Sequence, residues 1–155
     1  MKVEYINPFI EASQSVLKQM TGVEAKLKKV FLKTSPYDSD SVVCILGVTG
    51  KIRGQVLLSM SHESALKVAS TMMGGIELTA LDDVAKSAVA ELSNMILGNT
   101  ATILYNRGIK IEITPPSIVV GEKIQISLEK VKTICIPLSL GDGVELSIDV
   151  AAEES

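Results

Sequence analysis

A faint internal repeat limits the folds that this chain can adopt. Five residues recur with the same identity 80 positions later: Glu11, Ser13, Leu17, Thr34 and Pro36 match Glu91, Ser93, Leu97, Thr114 and Pro116. The predicted elements recur in the same order, because each copy runs from a helix through a strand to hairpin-like strands. An ancient duplication explains both observations. The repeat predicts an α+β fold with pseudo-two-fold symmetry, in which helices pack on one face of a mixed or antiparallel sheet.

Local start and stop signals place the first two helices. Asn7 and Pro8 predict an N-cap and a first helical position, and Gly22 predicts the end of that helix. Ser61 predicts the N-cap of a short second helix, which the pair Gly74-Gly75 would end.

A long third helix follows in the middle of the chain. Thr79 and Asp82 resemble a capping box at its start, and Gly108 is a natural residue for its C-terminal end. At about 100° per residue, one side of this helix is apolar, with Ala85, Val89, Leu92, Ile96 and Ile103. That side is predicted to face the core.

The remaining segments alternate as strands do. They are 23–33, 42–50, 51–60, 110–120, 123–131, 132–140 and 143–151. A short Thr49-Gly50 turn between the second and third of them predicts a hairpin. Because no linker or low-complexity segment interrupts the pattern, we expect a single domain over 1–155 with a frayed tail at 151–155.

Composition excludes several classes of function. Hydrophobic residues make up 46% of the chain and charged residues 21%, with a net charge of −3, which is typical of a globular domain. The 15 basic residues are scattered and the aromatic residues are few, so a nucleic-acid partner is not expected. Glu4, Pro8 and Glu11 interrupt any signal peptide, and no apolar run reaches about 18 residues. A cytoplasmic protein without a membrane segment is expected.

Cysteine and histidine are too sparse for several kinds of chemistry. Cys44 and Cys135 lie in apolar, strand-like runs, where a free cysteine behaves as a small hydrophobic residue. His62 is the only histidine and is expected at the surface. The sequence therefore predicts no metal site and no histidine-assisted nucleophile.

The second side of the long helix carries an unusual set of residues. Ser87, Glu91, Asn94 and Gly98 follow the spacing i, i+4, i+7 and i+11 opposite the apolar side. A plain solvated face more often carries long charged side chains, whereas a glycine in a helix interior costs about 1 kcal/mol relative to alanine. This pattern slightly favours a docking strip with two projecting polar groups over a solvated face.

Glutamate and asparagine at this spacing suit a limited range of reactions. Glu91 offers a negative acceptor for a cation, and Asn94 offers donors and an acceptor that do not titrate. A carboxamide beside a phosphoryl group can orient water for in-line attack. Glycoside hydrolysis requires two carboxylates, so this pair does not fit it.

These residues also carry a resemblance to a known family. The sequence Ser87-x3-Glu91-x2-Asn94, followed by twenty-one residues and Pro116, matches the motif Asp/Ser-x3-Glu-x2-Asn-x21-Pro of the CheC/CheX/FliY chemotaxis phosphatases. The segments "SALKVASTMMGG", "AELSNMILGN" and "ITPPSIVVGEKI" are similar to the CheX branch in particular. The resemblance extends over nearly the whole chain.

The resemblance implies a substrate and roles for individual residues. Family members hydrolyse the aspartyl phosphate of the response regulator CheY. By that likeness, Asn94 would align the attacking water and Glu91 would pair with the regulator's lysine, while Ser87 and Gly98 would lie on the contacting face. Pro116 would shape a turn after the helix. The enzyme would need no cofactor of its own, because Mg²⁺ would belong to the regulator, and a homodimer formed through the sheets is expected.

Some family members carry two working copies of the motif, one in each half. The first copy here reads Asn7-x3-Glu11-x2-Gln14-x21-Pro36, with glutamine in place of asparagine. The extra methylene would displace the Gln14 amide by about 1.5 Å, and a misplacement of about 1 Å can reduce a rate roughly 100-fold. One working site is therefore expected. The alternative function is a non-catalytic module that binds a receiver domain in a signalling or flagellar switch assembly.

Overall fold

The computed structural model describes residues 1–128 and 132–155. Its helices are α1 (Val3–Thr21), α2 (His62–Met72) and α3 (Asp83–Asn106). Its strands are β1 (Lys26–Leu27), β2 (Phe31–Lys33), β3 (Tyr37–Asp38), β4 (Val42–Gly50), β5 (Ile52–Met60), β6 (Ile111–Ile113), β7 (Ser117–Val120), β8 (Gln125–Ile126), β9 (Thr133–Gly141) and β10 (Val144–Glu154). No helix within the described ranges is long and apolar enough to cross a membrane.

The main sheet has eight strands in the order β1-β9-β10-β5-β4-β6, with β2 also paired to β9 and β7 to β4. All of these pairs are antiparallel. Two hairpins, β4–β5 and β9–β10, thus meet at the central β5–β10 pair, and each is flanked by two short edge strands. This arrangement is the pseudo-two-fold α+β fold that the repeat predicts.

The helices cover one face of this sheet. Alternate residues of β4, from Val42 through Cys44 and Leu46 to Val48, belong to the same buried cluster as the inner sides of the helices. On the second face, Val43 and Leu57 pack with Ile126 of β8, which pairs with β3 in a separate two-stranded sheet. The period-two alternation of a strand therefore separates a large core from a small one.

The repeat is clearest in the helices. Buried residues of α1 have buried counterparts in α3 exactly one repeat later: Phe9, Ala12, Ser13, Val16 and Leu17 correspond to Val89, Leu92, Ser93, Ile96 and Leu97. The edges of the sheet differ between the halves. Thr114 and Pro116 lie between two strands that both pair with β4, whereas Pro36 leads into β3, which belongs to the small sheet. The helices keep the repeat's register, as do the edge strands β2 and β6, whereas the segments that follow these two strands pair differently.

The predicted start of α1 at Asn7 and Pro8 is wrong. The helix begins at Val3 after the N-cap Lys2, so that Pro8 lies inside it. A proline at this position removes one hydrogen bond to the preceding turn. That turn also buries Tyr5 and Ile6, and we attribute the longer helix to this packing. The predicted end is confirmed, because Gly22 adopts a left-handed conformation with φ of 75°.

The strand expected over 23–33 is divided into β1 and β2. Both pair with β9, but their registers differ by one residue, since Leu27 opposes Leu138 and Phe31 opposes Cys135. Pro137 lies in β9 between these two pairs and has no N–H to donate to the ladder. Its carbonyl still accepts a hydrogen bond from Lys28 N at 2.9 Å. The break therefore comes from a partner distant in sequence.

The tail expected to fray at 151–155 is ordered in strand β10. Ala151 to Glu154 continue the pairing with β5, and Ala151 and Ala152 are buried. Two small apolar residues gain both backbone hydrogen bonds and burial there, which offsets the entropy of ordering a chain end. Part of another predicted strand, 123–131, lies outside the described residues; its described portion contains β8.

Candidate functional site

Helix α3 begins three residues later than the predicted capping box. Asp82 is the N-cap, and its Oδ1 accepts a hydrogen bond from Ala85 N at 2.9 Å, while Thr79 lies outside the helix. One capping side chain satisfies a free backbone donor without the reciprocal partner of a capping box. At the other end, Gly108 has φ of 81° and its N–H bonds to the Tyr105 carbonyl, as expected for a C-terminal glycine. Between these ends, α3 is 24 residues long.

The inner side of α3 is close to the predicted one. Ala85, Val89, Leu92 and Ile96 are buried as expected. Ile103 is only partly buried, and Leu104 occupies the core at that end. Leu97 is also buried, which makes the apolar side of α3 wider than the predicted stripe.

The four predicted site residues lie together on the outer side of α3. Ser87, Glu91 and Asn94 are exposed and Gly98 is partly exposed, as their spacing predicts. Glu91 and Asn94 are one helical turn apart, about 4.5 Å along the axis. Neither side chain has a hydrogen-bond or ion-pair partner among residues 1–128 and 132–155; the hydroxyl groups of Ser93, Thr100 and Thr102 bond to carbonyls of α3 itself. Both polar groups are therefore free to engage another molecule.

The side chains that surround Glu91 and Asn94 on α3 are small. A Cβ added at Gly98 would meet no atom of the described residues within 4 Å, so no contact among them requires a glycine at this position. The half-buried Ala90 and Ala101 flank the strip with small side chains. Gly98 therefore weakens the helix without relieving a close contact among these residues.

Pro116 does not lie in the turn that directly follows α3. It follows β6 and immediately precedes β7, and it is partly buried. The neighbouring Thr114 fixes this connection to β4, because its hydroxyl accepts a hydrogen bond from Gly47 N at 2.8 Å and its N–H donates to the Gly47 carbonyl. The position of Pro116 fits a structural role in the edge of the sheet.

The first copy of the motif has partners within the chain. Arg107 Nη2 lies 3.0 Å from Glu11 Oε2, and Gln14 Nε2 donates to the Ala25 carbonyl at 3.3 Å. Sequence reasoning did not find these contacts, because Arg107 is 96 residues from Glu11 and follows a different helix. The acid and the amide of the first copy are thus engaged, in contrast to Glu91 and Asn94.

Neither cysteine suits nucleophilic chemistry. Both are free and buried, as predicted. Burial raises the pKa of the Cys44 thiol, with a smaller opposing effect of its hydrogen bond to Ser93. Burial, and then the neighbouring Asp149 carboxylate, raise the pKa of Cys135 to about 11. Both side chains are therefore thiols at neutral pH.

The strip lies outside the cavity beside α2. A cavity of about 450 Å³ lies between α2 and the β9–β10 turn, lined among others by Leu66, Leu78 and Val144, and none of the four strip residues lines it. Within the described ranges no group of three or more histidine, cysteine or acidic residues is arranged to hold a metal ion. The carboxylate of Glu91 and the carboxamide of Asn94 thus lie on an exposed helix face, where another macromolecule can reach them.

Comparisons with known proteins agree with that interpretation. A family model described as chemotaxis phosphatase CheX matches residues 42–139. CheY-P phosphatase CheX of Thermotoga maritima is 35% identical over 154 residues, which cover 99% of this chain and 92% of that protein. The chain belongs to the CheX family of chemotaxis phosphatases, and it is a phosphatase.

Solved structures share its fold over nearly the whole chain. A CheC-like superfamily protein from Shewanella has a TM-score of 0.89 at 26% identity, covering 99% of each chain. A chain of the CheX-CheY-BeF3-Mg²⁺ complex from Borrelia burgdorferi has a TM-score of 0.83 at 34% identity, covering 99% of this chain and 100% of that chain. Both span the two halves of the repeat.

Proposed function

We propose that this protein hydrolyses the aspartyl phosphate of a CheY-type response regulator and so ends a chemotaxis or related two-component signal. The observation that carries the proposal is the outer side of α3 in a chain of the CheX family, where Glu91 and Asn94 are exposed and have no partner among the residues that the structure describes. The Thermotoga relative is a CheY-P phosphatase, and the Borrelia complex contains CheY with BeF3 and Mg²⁺.

Asn94 orients the attacking water in this proposal. Its amide N–H groups and carbonyl oxygen can hold a water molecule in line with the phosphorus–oxygen bond to the aspartate. The carboxamide does not titrate, so it fixes the geometry at any physiological pH. In-line attack breaks that bond, releases inorganic phosphate and returns a free aspartate carboxylate to the regulator.

Glu91 fixes the register of the two proteins. A carboxylate one turn before Asn94 can pair with a lysine of the receiver and thereby position the amide beside the phosphoryl group. Ser87 lies one turn before Glu91, and Gly98 lies one turn after Asn94. Both line the contact with the regulator. Mg²⁺ is supplied by the regulator, as the donor set of the strip offers a single carboxylate and no ligand cluster.

The direct test is phosphate release from a CheY-type regulator of the same organism, phosphorylated with a small phosphodonor in the presence of Mg²⁺. The proposal expects catalytic amounts of the protein to shorten the lifetime of the phosphorylated regulator. A protein that binds the regulator stoichiometrically and leaves this lifetime unchanged would instead be the non-catalytic receiver-binding module.

Glu91→Gln tests the role of the carboxylate. Loss of a charge pair at the interface should lower kcat/KM about 10- to 100-fold, chiefly through KM, and should flatten the salt dependence of KM. The measurement is steady-state phosphate release over a range of regulator and salt concentrations.

Glu11→Gln is the matched control, because it makes the same change at the equivalent position of α1. There the carboxylate pairs with Arg107 of the same chain. Phosphatase activity should stay within about twofold, since exposed ion pairs contribute little to stability. Equal losses for the two variants would contradict the assignment of Glu91.

Gly98→Ala separates helix stability from docking. No atom of residues 1–128 and 132–155 contacts the added methyl, so we expect the free energy of unfolding to rise by about 0.5–1 kcal/mol. If α3 docks closely on the regulator, the same methyl should raise KM several-fold. Chemical denaturation and phosphatase kinetics on one preparation measure both effects.

Asn99→Ala is the control for Gly98→Ala. Asn99 is exposed on α3 but is turned about 100° from Gly98. Alanine should stabilise the helix there as well, without changing KM. A stabilised Gly98→Ala variant with wild-type KM would remove Gly98 from the docking surface.

We also propose a homodimer formed through a sheet edge. Both edges expose apolar side chains, with Phe31 and Leu32 on β2 and Val119 and Val120 on β7. Unpaired edge strands of this kind readily pair with another chain. Light scattering should give twice the 16.5 kDa mass of one chain.

A further inference from the structure

Two large apolar side chains are exposed on the same side of α3 as the strip, and the proposed reaction does not use them. Val84 is 59% exposed and Tyr105 is 66% exposed. Val84 lies three residues before Ser87, and Tyr105 lies seven residues, or two turns, after Gly98. At about 100° per residue, Tyr105 falls about 10° and Val84 about 50° from the mean direction of the strip.

Single exposed apolar residues are common and need no explanation. The arrangement of these two is specific, because Asn94 lies midway between them, ten residues from Val84 and eleven from Tyr105. At about 1.5 Å per residue, the two side chains stand roughly 15 Å to either side of the amide. A polar centre with a small apolar contact at one end and a large aromatic one at the other can define one orientation of a partner, because the two ends differ.

The length between the two residues also fits a protein interface. Twenty-one residues of α3 span about 32 Å. A standard interface buries about 800 Å² on each partner, which corresponds to a patch of roughly the same width. Tyrosine is enriched among residues that dominate binding, because it buries a large area with few torsions to fix.

We propose that Val84 and Tyr105 are the two end anchors of the receiver-docking surface, which therefore runs along the whole of α3 from its first turn to its last. This inference rests on the proposed function. The anchors contribute affinity and register, and they do not touch the reacting atoms. They are positioning residues for the reaction that Asn94 and Glu91 perform.

Val84→Ala and Tyr105→Ala, singly and together, test the inference in the phosphate-release assay. We expect KM to rise about threefold for Val84→Ala and about tenfold for Tyr105→Ala, with kcat unchanged. The sites are far apart and their effects should multiply to about 30-fold in the double variant. The control is Ile76→Ala, which removes an equally exposed apolar side chain, 58% exposed, from the segment after α2.

The outcomes separate the inference from the proposed function. If KM does not change in the double variant, Val84 and Tyr105 are not anchors. Loss of turnover in Asn94→Ala would still support the phosphatase mechanism in that case. An equal rise in KM for Ile76→Ala also overturns the anchors, since the effect would not depend on α3. If the wild type fails to accelerate phosphate release, the proposed function fails. Titration with the BeF3-bound regulator then tests the anchors. A larger dissociation constant in the α3 variants alone supports them. The same dissociation constant in all variants, or no binding by the wild type, overturns them.

Discussion

Asn94→Ala should lower kcat about 100-fold or more while the variant still binds the BeF3-activated regulator within a fewfold of wild type. Removing the carboxamide removes the group that holds the attacking water in line, and a positioning group of this kind contributes at least two orders of magnitude. The side chain is exposed on α3 and has no partner among the described residues, so its loss should leave the fold intact. Single-turnover phosphate release measures the chemical step, and fluorescence titration measures binding.

Two further substitutions at the same residue sharpen this result. Asn94→Gln keeps the amide but moves it by about 1.5 Å, and a rate lowered roughly 100-fold would show that position matters as well as chemistry. Asn94→Asp keeps the shape and replaces the amide donors with a negative charge beside the phosphoryl group, which should also suppress turnover.

Gln14→Ala is the matched control for Asn94→Ala. It removes the corresponding amide of the first copy, which donates to the Ala25 carbonyl. Turnover should remain within about twofold of wild type, since a single hydrogen bond to a partly exposed group contributes only about 1 kcal/mol to stability. An Asn94→Ala variant that retains full turnover, or a Gln14→Ala variant that loses it, would contradict a single working site on α3.

The positions of the candidate site residues on α3 could be predicted because that information is local. Helical periodicity alone separates Glu91 and Asn94 from the buried side chains Val89 and Leu92, whatever α3 packs against. A glycine inside a helical pattern is likewise a local signal, but only the structure shows that a Cβ at Gly98 would meet no described atom within 4 Å. The predicted outer side therefore agrees with the structure residue by residue, although the N-cap moves to Asp82.

The contacts of the first copy could not be predicted in the same way. The Arg107–Glu11 pair and the Gln14–Ala25 hydrogen bond depend on where α1 lies relative to residues distant in sequence. From sequence, Gln14 differs from Asn94 by one methylene. In the structure, its amide also has a partner within the chain. Whether a polar side chain is available to a partner depends on tertiary packing.

The differences in the fold have the same origin. Lengthening α1 past Pro8 follows the burial of Tyr5, and the division into β1 and β2 follows Pro137 in a strand more than 100 residues away. The ordered tail depends on pairing with β5. Local propensity placed the elements, and partners distant in sequence decided where several of them begin and end.

Gly54→Ala should be the most destabilising single-methyl change in the chain. Gly54 lies in β5 with φ of +154° and opposes Ala152 of β10. An added Cβ would come within 2.1 Å of the Ala151 carbonyl oxygen and 2.6 Å of Ala152 Cα. Both atoms belong to the backbone, so the clash can be relieved only by separating the strands. Strain and overpacking together should lower the free energy of unfolding by about 2–5 kcal/mol, measured by urea denaturation at fixed protein concentration.

Gly121→Ala is the control that isolates this cause. A Cβ at Gly121 would make ordinary contacts with Ile124 at 3.8 Å and beyond, and its φ is not in the left-handed region. We expect a change of less than about 1 kcal/mol, in the stabilising direction, because alanine restricts the unfolded chain. If both variants unfold at the same urea concentration, the central β5–β10 pair does not require a strand position without a side chain. A large loss confined to Gly54→Ala means that it does.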